Sequence, residues 1–247
     1  PTGIGVSLDT PTVKAAGVVI FDRDNHRYFG GIELSVLKKF DLTAVGVLTT
    51  RMPDGSEGYA ILFIISFSFP NPIHIAYNFW LAGLGGLLGL NRSMEVDRMR
   101  SGLQAGSLDS ILFPKDIVRR LDTIVTDLEQ CFPPHRDQFL IGPMALIQWS
   151  TPPLIRAKVG LIIEFANPVR LALLGVLRAT LPTEEKAVLD LKVAFLGTID
   201  VEKGLLAFDA SIYDSFIGYG DWKFTLDGDI ALRISWGRQK DFVNTVG

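Results

Sequence analysis

The chain has 247 residues, 48% hydrophobic and 21% charged, with 24 Lys and Arg against 27 Asp and Glu for a formal charge of −3. That length suits one or two globular domains, and a near-neutral balance without long single-sign runs leaves no electrostatic footprint for nucleic acid. Cys131 is the only cysteine, which excludes an intramolecular disulfide and a cysteine-rich zinc or iron–sulfur site.

The opening residues Pro1-Thr2-Gly3-Ile4-Gly5-Val6 carry no basic n-region and no apolar signal core. Residues 1–247 read as a single β-rich domain or as a fragment of a larger one. Val13–Phe21 and Tyr28–Leu37 are predicted strands flanking the polar turn Asp22-Arg23-Asp24-Asn25. Leu42–Thr50 and Tyr59–Phe69 flank Pro53-Asp54-Gly55, a strong turn signal. Long strands joined by short turns imply an antiparallel meander.

Across Tyr59–Leu90 the only ionisable groups are His74, Tyr59 and Tyr77. The length would suffice for a helical span of ~20 residues. Pro70-Asn71-Pro72 interrupts it, however, glycines crowd its second half, and its Ile, Phe, Tyr and Trp favour strands. The expectation is two strands buried on both faces, with no transmembrane span. A membrane-inserting segment is a less favoured reading. Another is an apolar groove lined by Phe63, Phe67, Tyr77, Trp80 and Leu84, which would take a lipid-like ligand. Asn91-Arg92 closes the segment. Its guanidinium suits an anion, or else caps carbonyls or pairs with Glu95.

A helical insert is expected over about 94–131. Val96, Met99 and Leu103 fall in line in a first helix. Ile117, Leu121, Ile124, Val125 and Leu128 do so in a second, with Pro114 at its first position and Pro133-Pro134 as its stop. Beyond the insert, period-two alternation returns. Ile155, Ala157, Val159, Leu161, Ile163 and Phe165 alternate with Arg156, Lys158, Gly160, Ile162 and Glu164. Val169–Leu181, Leu189–Ile199 and Leu206–Ile212 follow the same grammar, and so does Trp222–Trp236. Such strands bury one face, and the apolar set is expected to be that face. The fold class is therefore mainly β. Long antiparallel strands form a curved sheet, as a sandwich or an open barrel, with a helical insert near the middle.

The run Trp80-Leu81-Ala82-Gly83-Leu84-Gly85-Gly86-Leu87-Leu88-Gly89-Leu90-Asn91-Arg92 resembles a segment of the microbial family catalogued as domain of unknown function 6603. The ending Ala231-Leu232-Arg233-Ile234-Ser235-Trp236-Gly237, followed by Lys240-Asp241-Phe242-Val243, is similar to it as well. The resemblance implies an aromatic Gly-rich run, a polar helical insert and long amphipathic strands. It also implies that the family domain continues past Gly247, this chain matching its N-terminal half. It carries no activity and names no catalytic residue.

Gly83–Gly89 superficially matches a dinucleotide loop but lacks the following helix of a parallel βαβ unit. Glycines that kink a strand or admit a close neighbour are the better reading. His26, His74 and His135 are far apart, and neither His-Glu-x-x-His nor Gly-x-Ser-x-Gly occurs. Asp209, Asp214, Asp221, Asp227 and Asp229 suit a solvated strand face better than calcium binding or glycoside hydrolysis. No catalytic residue, cofactor or metal ligand is assigned. The sequence favours a non-catalytic binding or scaffolding module of a larger protein. Its partner would be another protein, or a second copy self-associating through an edge strand near Trp222–Trp236. The alternatives are carriage of a lipid-like ligand, through Phe63, Phe67, Tyr77, Trp80, Leu84, Asn91 and Arg92, and a hydrolase assembled from distant Asp and His residues.

Overall fold

The computed structural model describes residues 2–37, 39–105, 107–183, 186–220, 222–236 and 241–247. Six strands come first: β1 (Gly3–Asp9), β2 (Val13–Asp22), β3 (Arg27–Val36), β4 (Phe40–Arg51), β5 (Glu57–Ala76) and β6 (Phe79–Arg92). Three helices follow, α1 (Val96–Ala105), α2 (Leu108–Ile111) and α3 (Ile117–Cys131). The remaining strands are β7 (Pro134–Trp149), β8 (Ile155–Phe165), β9 (Arg170–Leu181), β10 (Leu189–Asp200), β11 (Leu205–Tyr219), β12 (Trp222–Ser235) and β13 (Asp241–Val246). All belong to one 13-stranded sheet in strict chain order, antiparallel throughout, as in the β2–β3, β6–β7 and β10–β11 pairs.

The sheet curls around the helices. α3 packs on β2, β3 and β4, α2 on β9, and α1 on β10 and β11, while the helices also touch one another. Strands spaced ~4.8 Å apart would separate β3 from β9 by about 29 Å if the sheet were flat. Packed helices sit only ~8–10 Å apart. Both contacts hold together only on a strongly concave inner surface. The meander nonetheless stays open, with β1 and β13 as its edges.

The core lies on that inner side. Val45, Leu62, Ile64, Leu87, Leu140, Ile162, Leu174 and Leu196 pack against Met99, Ile117, Ile124, Leu128 and Phe132. Glycines clear the way for the insert. A Cβ on Gly83 would stand 2.5 Å from the Phe67 carbonyl oxygen and 3.1 Å from the Phe113 ring. One on Gly160 would stand 2.8 Å from Leu112 Cδ2.

Several expectations are corrected. α3 begins at Ile117 after Asp116, whose φ of 53° is left-handed, so Pro114 precedes the helix rather than opening it. The Ile117 N–H, unsatisfied by the helix itself, is accepted by the Glu33 carboxylate of β3. Tyr59–Leu90 does form two strands, β5 and β6, but they are not buried on both faces: Phe63 is 38% exposed and Leu84 47%. Trp222–Trp236 is not the last strand either, because β13 pairs with Ile230–Ser235. Among the described residues no helix is long and apolar enough to cross a membrane.

Candidate functional site

The principal finding is that the sheet is inside out. In β8, Glu164 is wholly buried while its neighbour Phe165 is 45% exposed. Ile162 is 1% exposed and Leu161 39%. The alternating set that sequence marks as the core face looks away from the helices, and the set carrying the charges looks toward them. The same inversion holds in β12. Phe224 (65% exposed) and Ile230 (47%) point outward, whereas Arg233 reaches inward to Asp209 at 2.5 Å.

Register makes this outer face continuous. One row crosses all thirteen strands as Ile4, Val19, Gly30, Gly46, Phe63, Leu88, Ile141, Ile163, Leu171, Ile199, Leu206, Ile234 and Phe242. Adjacent outward rows repeat the pattern, for example Val159, Gly175, Phe195, Ala210, Ile230 and Val246. Among the described residues, and away from the irregular stretches of β4 to β7 and of β11, no charged side chain stands in this register and Asn244 is its polar exception. Over Gly17, Gly30 and Gly46 the face dips into an apolar groove of about 410 Å³ walled by Ile4, Val6, Val19, Ile32 and Phe63.

The inner face divides in two. One end is filled by the helices and held by ion pairs across the core. Arg27 of β3 binds Glu129 of α3 at 2.7 Å, and Arg100 of α1 binds Asp209 of β11 at 2.8 Å. Arg170 Nε lies 2.5 Å from the buried Glu164, whose other oxygen accepts the Met94 N–H. The other end opens into a cavity of about 1240 Å³ with a mixed lining, Ser66, Gln148, Arg156, Lys158, Arg178 and Lys192 standing beside Leu34, Leu42, Phe69 and Phe113. There Arg178 grips Asp190 through Nε and Nη2 at 2.9 and 2.8 Å. That hydrogen bonding holds the Asp190 carboxyl below its usual pKa, against the opposing pull of burial.

The seven residues singled out from sequence do not converge on one pocket. Phe67 pairs with Leu84 on the outer face, and Phe63 sits farther along the same strand. Of the seven, only Phe63 walls the 410 Å³ groove. Tyr77 occupies the β5–β6 turn, 92% exposed, and Trp80 packs on His74 with ring centroids 4.8 Å apart. Asn91 donates to the Tyr59 carbonyl and accepts the Asp137 N–H, pinning the end of β6. Arg92 is fully buried, donating to the Phe132 carbonyl at 3.0 Å and to Thr49 Oγ1 at 2.8 Å. Burial pulls its guanidinium down to about 10, with the Glu129 charge acting the other way.

The groups that could carry chemistry are likewise dispersed. His26 Nε2 meets Arg51 at 3.3 Å, and His135 Nδ1 meets the Arg136 carbonyl at 3.0 Å. Cys131 is buried, and burial pushes its thiol up to about 12, leaving no nucleophilic thiolate at neutral pH. Among the described residues no three His, Cys, Asp or Glu side chains are grouped to hold a metal ion. The outer face escaped sequence reading although its signal was present. In β2, β3, β4, β8, β9, β10 and β12 the charges stand on one parity and leave the other bare.

These features define an open antiparallel meander that wraps a helical plug and turns its apolar face outward. The chain belongs to DUF6603, a family of unknown function whose model matches residues 1–247. No curated protein and no solved structure matches it.

Proposed function

We propose that this chain is a non-catalytic binding module whose working surface is the outer face of the sheet. One observation supports this most directly. The accessible surface is 14175 Å², whereas a folded 27.2 kDa monomer has about 10,900 Å². That is about 3,300 Å² more total surface than an ordinary monomer shows, and the outer rows of exposed Ile, Leu, Val and Phe form a continuous apolar part of it. A continuous apolar face of this kind is stable in water only when covered.

The test is behaviour without a cover. Purified chain should need detergent to stay monodisperse. Leu161→Lys with Leu173→Lys should relieve that need while leaving near-UV circular dichroism unchanged. Wild-type chain that stays monodisperse at high micromolar concentration in plain buffer overturns the reading. The groove over Gly17, Gly30 and Gly46 favours carriage of a lipid-like ligand as a second reading, because its walls are almost wholly apolar. A hydrolase built from distant Asp and His residues has no comparable observation behind it.

A further inference from the structure

Resting on the reading of the outer face as a binding surface, we infer that its partner is the hydrocarbon of a lipid bilayer, which the strands cross with the helices as a plug inside.

Three observations carry this beyond a generic apolar partner. The first is shape. Because the sheet curls around α1, α2 and α3, its outer face looks outward in many directions at once. A rigid partner or a flat lipid surface would cover part of it, whereas fluid acyl chains surround all of it.

The second is height. β8 has 11 residues, about 33 Å along the strand and about 25 Å across at a tilt of ~40°. A membrane-crossing strand needs ~9–11 residues, and the apolar band of such barrels stands ~25 Å tall. The charged turns Asp22–Asn25 and Pro53–Ser56 lie outside the band at one rim, and Thr10–Thr12 lies beyond it at the other.

The third is where the amphipathic aromatics fall. The chain has 4 Trp and 5 Tyr. All but Tyr213 stand at strand ends: Tyr28, Tyr59 and Trp236 at one rim, and Tyr77, Trp80, Trp149, Tyr219 and Trp222 at the other. Between them, away from the irregular stretches of the strands, the outward side chains are aliphatic, glycine or Phe, with Asn244 of β13 the polar exception. Trp and Tyr favour the membrane–water interfaces, where the ring sits in apolar surroundings and the polar tip stays wet. The expectation against a transmembrane span weighed Tyr59–Leu90 as a helix. Alternating strands give only a weak hydropathy signal, because half of each strand faces inward.

The experiment uses the full chain with paired cysteines at the two ends of β2, Thr12→Cys and Asp24→Cys. The buried Cys131 serves as a silent background. The protein is transferred from detergent into sealed phosphatidylcholine vesicles, floated, and treated with a thiol reagent that cannot cross lipid. A spanning chain floats and takes one label per molecule whichever way it inserts, then two once detergent opens the vesicles. Leu173→Lys, which places a cation in the middle of the band, should cut the floated fraction by roughly tenfold or more while folding normally in detergent. Two labels per molecule in sealed vesicles mean surface docking and overturn the inference. A chain that needs detergent yet does not float overturns it too, while leaving the binding-surface reading intact for a protein partner. A chain that needs neither detergent nor lipid overturns both.

Discussion

Leu173 and Leu174 are neighbours on β9 that face opposite ways, so truncating each in turn measures which side of the sheet is the core. Leu174 is 0% exposed and pairs with Gly160 and Leu196 under the helices. Leu174→Ala therefore loses the full transfer energy of its deleted methyl groups and leaves a cavity that the crowded glycine cannot fill. That costs about 3 kcal/mol, within the range of ~2–5 kcal/mol for such truncations. Leu173 is 44% exposed and pairs with Leu161 and Gly197 on the outer face. Detergent or lipid flows into the space it vacates, so Leu173→Ala costs under ~1 kcal/mol. At about 2–4 °C per kcal/mol for a chain of this size, the melting midpoint falls by about 6–12 °C for the first and by under ~4 °C for the second. Near-UV circular dichroism during heating in mild detergent reads both. Equal losses, or a larger loss for Leu173→Ala, would refute the assignment of the two faces.

Gly83→Ala should destabilise the fold by ~1–3 kcal/mol, because its Cβ would meet the Phe67 carbonyl at 2.5 Å. Gly86→Ala, whose Cβ meets nothing closer than the Gly142 carbonyl at 4.0 Å, should change little in the same guanidinium titration. Asp190 gives the fold an acid limit. Its folded pKa is depressed by Arg178, so its contribution is present above the unfolded value of ~3.9 and is lost as pH falls through the folded one. Asp190→Asn should be less stable than wild type at pH 7 and lose less on going from pH 5 to pH 3. A wild-type acid profile retained in Asp190→Asn would count against that pair.

Much of the architecture was legible because strands and turns leave strong local marks. Period-two alternation set β8, β9, β10 and β12 near their observed bounds, and the spacing of Ile117, Leu121, Ile124 and Leu128 gave α3, but β11 runs past the expected Ile212 to Tyr219 because a bulge between Ile212 and Ser215 breaks the alternation. What local pattern could not supply was the direction of the sheet. Alternation shows that a strand has two unlike faces and does not say which one meets the core. In β8 the helix-facing set mixes Arg156, Lys158 and Glu164 with Gly160 and Ile162, which reads as a solvated face until Glu164 is seen buried with Arg170. The suggestive pair Asn91-Arg92 was visible too. Its partners Tyr59, Thr49 and Phe132 lie 32, 43 and 40 residues away, and no spacing rule links them. The short β13 went unseen because six residues carry too little periodicity to register.

The open seam supplies the last prediction. β1 is exposed along its whole length, and beyond β13 the order of the sheet ends. In water, unpaired N–H and C=O groups on these edges are hydrated, at the cost of a template for stray pairing. In hydrocarbon they would have no partner at all, and each would cost several kcal/mol. When residues 1–247 by themselves cross a bilayer, β1 and β13 must therefore pair, either with each other or with a second copy. Val6→Cys on β1 and Asn244→Cys on β13 place one outward-facing thiol on each edge, with Cys131 buried out of reach. Oxidised in phosphatidylcholine vesicles, the double variant should form a disulfide in high yield. A faster-migrating monomer band marks closure within one chain, and a dimer or ladder marks pairing between copies. In detergent at low protein concentration, where water reaches the edges, the between-copy product should fall away. If neither product forms in vesicles from which the chain cannot be extracted, the edges are not paired with one another in lipid and the argument from unsatisfied backbone fails.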